Sequence, residues 1–495
     1  MKETTEESLD PENWDQMKQL GHRMVDDMME YLRSVRERPV WSPIPEELRS
    51  WYRRQPLPTE AQGAEGAYHD FKKYVLPYPL GNIHPRFWGW ITGTGTPMGM
   101  LAEMLAAGMN SNLAGFNQVP ALLETQVVDW CKAMFDFPAG ASGLLVSGGS
   151  MANLVGLTVA RDTKAGFNVM DEGVQQSHRQ LTVYGSSETH SSVEKAVQVL
   201  GLGNKSFRRV KVNKDFQIDI PALAGMLRED RAKGYQPVCV VGNAGTVNTG
   251  ALDDLNMLAD IAESEDLWFH VDASLGAFAA LSPQLKPLVA GVERADSLAF
   301  CLHKWMYIQY EASCVLVRDS ETHRKSFSAA SVYLTQATAG LSAGSPWFSE
   351  FGIQLSRGFR ALKIWMSIKE HGIRKYGRLV EQNVEQAQYL VSLVTGSDEL
   401  ELLAPAPLNI VCFRFINRQL DDAQLNQLNQ DILIRLQEEG VAAPSSTMLN
   451  GRFAIRVANT NHRTRRSDFD LLVEKTVEYG RNLIEKTALQ ENNGR

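Results

Sequence analysis

Cysteine is scarce in this chain of 495 residues: Cys131, Cys239, Cys301, Cys314 and Cys412 are odd in number, scattered, and never form a CxxC pair. That spacing argues against a zinc cluster and against a disulfide framework, and no metal site is expected. No run of about 18 apolar residues occurs, which excludes a membrane-spanning helix. Positive charge is not in excess. Lys and Arg total 50 against 58 Asp and Glu, a formal net charge of −8. Nucleic acid is therefore not expected as an obligatory partner, because neutralising phosphates needs a basic surface. The opening MKETTEESLDPENWDQ is acidic and polar. It has no apolar segment ahead of a small-residue cleavage site, so no secretory signal is read there and a cytoplasmic location is expected. Internal repeats and low-complexity tracts are missing as well.

What is present is a globular composition, 44% hydrophobic and 22% charged, on a chain long enough for two to four domains at ~150 residues each. Residues 9–37 predict a helix, with Met17, Leu20, Met24, Met28 and Leu32 forming one apolar stripe. Pro39, Pro43 and Pro45 then break the pattern before a short helix at EELRSWYRR. This amino-terminal segment, 1–84, has little core of its own and must pack on the main body or on a second subunit. Over 85–385 short apolar runs (LLVSGGS, QLTVYGS, PVCVVGNAG, LWFHVDA, CVLVRD) alternate with helical stretches. That alternation predicts an α/β domain with a mostly parallel sheet covered on both faces, binding its ligand at the carboxyl ends of the strands. Residues 386–495 predict a small α+β domain. It contains a helix ending at Gly440, a hairpin around Asn450-Gly451 and a closing amphipathic helix.

Four clusters at strand ends carry chemistry. Lys304, in Phe300-Cys301-Leu302-His303-Lys304-Trp305-Met306, reads either as a surface lysine lying along apolar neighbours or as an amine kept neutral by burial and able to form a Schiff base. Asp272, in Trp268-Phe269-His270-Val271-Asp272, ends an apolar strand. It reads as a helix cap or salt-bridge partner, or as the counter-ion of a protonated pyridine nitrogen. Ser147-Gly148-Gly149-Ser150 opens a helix and suits a phosphate, without matching a P-loop or dinucleotide spacing. His190, in Ser186-Ser187-Glu188-Thr189-His190-Ser191-Ser192, fits a helix cap, a core histidine, or a proton-handling group over an aromatic ring.

In this order, Ser-Gly-Gly-Ser, Thr-His-Ser-Ser-Val, Gly-Thr, His-Val-Asp-Ala and His-Lys-Trp resemble the group II pyridoxal-phosphate-dependent amino-acid decarboxylases, which include the aromatic-L-amino-acid enzymes. The resemblance spans nearly the whole chain and implies the fold-type I architecture, pyridoxal 5'-phosphate as cofactor, an amino-acid substrate and a homodimer. It further implies that Lys304 carries the cofactor, His303 helps hold its phosphate, Asp272 meets the pyridine nitrogen and His190 covers the ring face. Thr246 is placed near the ring hydroxyl, and Gly149, Ser150 and Ser297 at or beside the phosphate. Tyr333, in Ser331-Val332-Tyr333-Leu334, matches the mobile-loop tyrosine that protonates the substrate α-carbon. Trp90, Arg86 and Arg357 are candidates for substrate contact. The family's Asn-Pro before His-Lys is Cys301-Leu302 here, and a double arginine of the aromatic branch is Arg357-Gly358.

The expected reaction is decarboxylation of an L-amino acid, with an aromatic side chain favoured by the cavity-side aromatics. Phe87, Trp88 and Trp90 also read as core residues, and Arg86 equally suits the distal carboxylate of aspartate or glutamate. Two rivals remain at this level: decarboxylation coupled to aldehyde formation, which retention of Tyr333 and His190 disfavours, and a non-catalytic homologue, which retention of Lys304, Asp272 and His190 disfavours.

Overall fold

A computed structural model describes residues 7–328 and 337–493. Twelve strands are found among them. In chain order they are β1 (Phe87–Trp88), β2 (Ser142–Val146), β3 (Leu181–Ser186), β4 (Phe207–Val210), β5 (Gln236–Asn243) and β6 (Trp268–Asp272). These are followed by β7 (Ser297–Cys301), β8 (Ser313–Val317), β9 (Leu400–Leu402), β10 (Ile410–Phe415), β11 (Ala443–Leu449) and β12 (Arg452–Ala458).

Seven strands form one sheet in the order β2-β8-β7-β6-β5-β3-β4. Only β8 runs against its neighbours β2 and β7, and every other pairing is parallel. The near-continuous apolar runs of the sequence follow from burial on both faces. Leu145, Cys314, Leu316, Leu298 and Phe300 enter one core, while Leu144, Val146, Val315, Val317 and Ala299 enter the other. Alternate residues of a single strand thus feed two cores, as the two-residue period of a strand requires. Helix Gly149–Lys164 lies across β5, β6, β7 and β8. Its first turn therefore stands over the carboxyl ends of the parallel strands.

A second sheet has the order β1-β11-β12-β10-β9. The predicted hairpin is present. Asn450 and Gly451 both have positive φ, 51° and 80°, joining β11 to β12, as a two-residue turn with the right-handed twist requires. Strand β1 pairs in parallel with β11, so residues 87–88, early in the 85–385 stretch, join this second sheet. Helix Ile373–Thr395 runs unbroken through position 385. Tyr376 and Val380 enter the large core and Leu390 and Val394 the core of the second sheet, so one helix ties the two sheets together.

The amino-terminal helices form at Trp14–Arg33 and Glu46–Arg54. Asn13 caps the first by accepting from the Gln16 N–H, which supplies one of the bonds a helix start lacks. Its apolar stripe is only partly covered: Leu20 is buried, whereas Met17 and Met24 are exposed. Among the described residues no helix is long and apolar enough to cross a membrane.

Candidate active site

Five strand ends converge on one cavity of about 380 Å³. Its lining includes Gly149 and Ser150 after β2, His190 after β3, Thr246 after β5, Asp272 at the end of β6, and His303 and Lys304 after β7. This is where a parallel sheet exposes helix N-termini and loop amides to a ligand.

Lys304 sits on the one-turn helix Leu302–Trp305, between the buried Leu302 and Trp305. Trp305 Nε1 and Tyr307 Oη both donate to Asn383 Oδ1, at 3.0 and 2.8 Å, anchoring the lysine's turn to the helix that links the sheets. From the other side Gly93 closes against this turn. A Cβ built there would lie 1.5 Å from the His303 carbonyl oxygen, so only glycine permits the approach. The apolar setting read from the sequence is present, and the lysine amine reaches the cavity from it.

Asp272 is buried. Its Oδ1 accepts from the Ser274 N–H at 3.0 Å and its Oδ2 from Asn153 Nδ2 at 2.8 Å. Burial raises its pKa, but the hydrogen bonds from Ser274 and Asn153 and the charge of Lys304 outweigh that and hold it below the ordinary carboxylate value. It forms no ion pair among the described residues. A buried, ionised carboxylate facing a cavity without a bonded cation is set up to receive one.

His190 is a helix cap that also borders the cavity. It is the N-cap of helix Ser191–Val199, its Nδ1 accepting from the Ser192 N–H at 3.2 Å. Burial lowers its pKa, with Lys304 and Lys195 acting in the same direction against Asp272. His303 Nδ1 accepts from the Ala312 N–H at 3.2 Å, which leaves the ring proton on Nε2. Burial, with Lys304 beside it, pushes His303 down to about 3, so it is a neutral donor at physiological pH. At helix Gly149–Lys164 no side chain caps the first turn, and its amides stay available for an anion. A Cβ on Gly149 would lie 2.5 Å from Ser274 Oγ. Gly245, with φ +93°, turns the chain so that Thr246 meets the cavity.

The pyridoxal-dependent decarboxylase conserved domain matches residues 45–416. The chain belongs to that family. Over 455 residues, 91% of this chain and 92% of the relative, it is 34% identical to an aromatic-L-amino-acid decarboxylase of Bacillus atrophaeus. It is 29% identical to tryptophan decarboxylase 2 of Oryza sativa subsp. japonica, over 92% of each chain. The fold matches the crystal structure of Oryza sativa TDC with PLP and tryptamine at a TM-score of 0.89, with 24% identity, covering 96% of this chain and 100% of that one. The protein is a pyridoxal 5'-phosphate-dependent amino-acid decarboxylase.

The cavity fits that cofactor on its own terms. An amine is available for the aldehyde, a buried anion without an ion-pair partner among the described residues for the ring nitrogen, and an uncapped helix start for the phosphate. Among the described residues no group of three or more His, Cys, Asp or Glu is placed to hold a metal ion.

Of the residues singled out in the sequence, the cavity gathers Lys304, His303, Asp272, His190, Thr246, Gly149, Ser150 and Trp90. Three lie elsewhere. Ser297 is at the amino end of β7, the opposite end of that strand from Lys304, and accepts from Trp268 Nε1 at 2.8 Å. Arg86 donates from Nε to the Val441 carbonyl at 2.6 Å, tying the residues just ahead of β1 to those just ahead of β11. Arg357 is buried, donating to the carbonyls of Leu113 and Leu145 and paired with the fully buried Glu124. Tyr333 lies outside the described residues. The Cys301-Leu302 departure places a buried thiol at the cavity wall.

Sequence reasoning missed Arg456. It donates from Nε to the Asn248 carbonyl at 2.9 Å and from Nη1 to the Trp90 carbonyl at 2.8 Å, and it also holds the Val247 carbonyl. Two cavity walls thereby hang from β12. An arginine in the middle of the apolar run FAIRVA was the available signal. Asn153, on the helix that Ser147-Gly148-Gly149-Ser150 opens, was missed as well.

Arg357→Ala is expected to lower stability by about 3–5 kcal/mol, because it leaves Glu124 buried without its partner. The KM of whatever protein remains folded stays close to wild type. Urea unfolding and steady-state kinetics check both parts, and Arg357→Met with Glu124→Leu should recover much of the loss.

Proposed function

We propose that this enzyme decarboxylates an aromatic L-amino acid to the corresponding amine and carbon dioxide. The observation that carries the reading is the apolar wall that Trp90 and Ile91 form on the cavity. It lines the same cavity as Lys304 and offers a surface on which a flat side chain packs well. Arg86, the candidate for greeting an acidic side chain, is engaged with Val441 instead. The relatives named for aromatic amino acids and for tryptophan point the same way.

Bound pyridoxal 5'-phosphate supplies an electron-accepting ring that draws charge from the bond to the departing carboxylate. Lys304 would provide the amine that holds the cofactor's aldehyde, and Asp272 would keep a positive charge at the ring nitrogen. His190 would cover the ring and present a proton, and Thr246 would meet the ring hydroxyl. Gly149 and Ser150, with the amides of their helix, and His303 through Nε2 would hold the phosphate. Trp90, Ile91 and Leu275 keep water from the substrate carboxylate, whose strong hydration would otherwise favour the starting charge.

We also propose that two copies pair. Met17 and Met24 on the first helix and Met104, Leu105 and Met109 on helix Pro97–Met109 are exposed. A two-fold contact covers such faces on both chains at once.

In a panel of the twenty amino acids, amine and carbon dioxide should form in equal amounts from tryptophan, tyrosine or phenylalanine, without peroxide or ammonia. Aspartate and glutamate should be turned over at least roughly a hundredfold less efficiently, since they would leave a carboxylate desolvated against the indole. Turnover of an acidic substrate in preference, or aldehyde in place of amine, contradicts the reading. Light scattering at micromolar concentration should give twice the chain mass; a single-chain species argues against the pairing.

A further inference from the structure

We infer that Asn153 is a positioning residue that sets Asp272 and His190 together, through a hydrogen-bond chain in which every proton has one direction. Asn153 is fully buried on helix Gly149–Lys164. Its Nδ2 donates to Asp272 Oδ2 at 2.8 Å and to Ser192 Oγ at 2.9 Å, and its Oδ1 lies 2.9 Å from His270 Nε2.

The directions follow from which atoms carry hydrogens. An amide oxygen only accepts, so His270 must carry its proton on Nε2. Burial pushes His270 down to about 4, so the ring is neutral and its Nδ1 accepts from the Ser297 hydroxyl at 2.7 Å. That hydroxyl in turn accepts from Trp268 Nε1. On the other branch, Ser192 Oγ accepts from Asn153, which leaves its own proton for His190 Nδ1 at 2.7 Å. The Ser192 backbone N–H donates to the same nitrogen. With two donors aimed at Nδ1, neutral His190 carries its proton on Nε2, the nitrogen free to face the cavity.

Ser297, displaced from the phosphate, thus acquires a place at the head of this chain. A carboxylate that must stay ionised and an imidazole that must present Nε2–H are served by the two hydrogens of a single amide. The charged groups near His190 are Asp272, which favours its cation, and Lys304 and Lys195, which oppose it. The Ser192 hydroxyl stabilises the neutral ring and adds to that opposition.

The tautomer belongs to the chain alone, whereas its catalytic consequence rests on the cofactor reading above. The test uses full-length protein with 15N-labelled histidine, cofactor-free and loaded with pyridoxal 5'-phosphate, and a His190→Gln sample identifies the resonance. Wild type should show His190 protonated on Nε2 and bare on Nδ1 in both states. Ser192→Ala should raise the fraction protonated on Nδ1, move the acid limb of kcat/KM to higher pH and lower kcat roughly tenfold to a hundredfold. Cofactor affinity should stay within about twofold of wild type. Asn153→Leu should cause those changes and also weaken cofactor binding roughly tenfold to a hundredfold, with a shifted cofactor absorbance, because Asp272 loses a donor.

Should Asn153→Leu not fold, Asn153→Ser replaces it. A wild-type His190 protonated on Nδ1, or an Asn153 variant that changes only one of the two groups, overturns the inference. Protein that shows the tautomer yet does not bind the cofactor would instead sink the functional reading and leave the hydrogen-bond chain standing.

Discussion

A carboxylate buried at the end of β6 is the constraint on which the rest of the site depends. Taking an ion of that size out of water costs several kcal/mol even after relaxation, unless donors or a counter-charge meet it. Asp272 is met by the Ser274 amide and the Asn153 side chain, and together with the charge of Lys304 these keep it ionised in spite of burial. What is missing among the described residues is a bonded cation. In the proposed function a protonated pyridine ring would supply one, and that ring would then carry positive charge where electrons must be drawn. The cost of burying Asp272 and the chemistry of the cofactor are two sides of one arrangement.

The remaining groups are set by the sheet. Because the parallel strands all point their carboxyl ends one way, the start of helix Gly149–Lys164, His190, Thr246 and Lys304 arrive on one face without long loops. Glycine is needed where the backbone of one wall meets another, as Gly93 meets the turn that bears Lys304. The second sheet contributes through Arg456, whose three carbonyl partners hold the walls at Trp90 and at residues 247–248. An arginine with burial pushing it down to about 10 remains charged at neutral pH, and it serves here as a structural fork rather than a ligand.

Much of this was legible in the sequence where the signal is local. The continuous apolar runs identified strands covered on both faces, Asn450-Gly451 marked its hairpin, and His270-Val271-Asp272 and His303-Lys304 fell at strand ends as their flanking residues suggested. The illegible parts depend on partners distant in the chain. An arginine reads alike whether it awaits a substrate or a buried carboxylate, and Arg357 finds Glu124 across 233 positions. Arg86 finds the Val441 carbonyl in the same way. Asn153 looks like one polar residue in a helix, because its three partners come from β6 and from the helix after β3. The family resemblance implies Ser297 at the phosphate, whereas strand direction puts it at the amino end of β7, away from the cavity.

The most direct test of the account is borohydride reduction of the cofactor-loaded enzyme followed by peptide mapping. The account predicts a single pyridoxyl-labelled peptide, carrying the label on Lys304, and none from Lys304→Ala, which should stay folded. A label on any other lysine, or a wild-type protein that takes none, would contradict it.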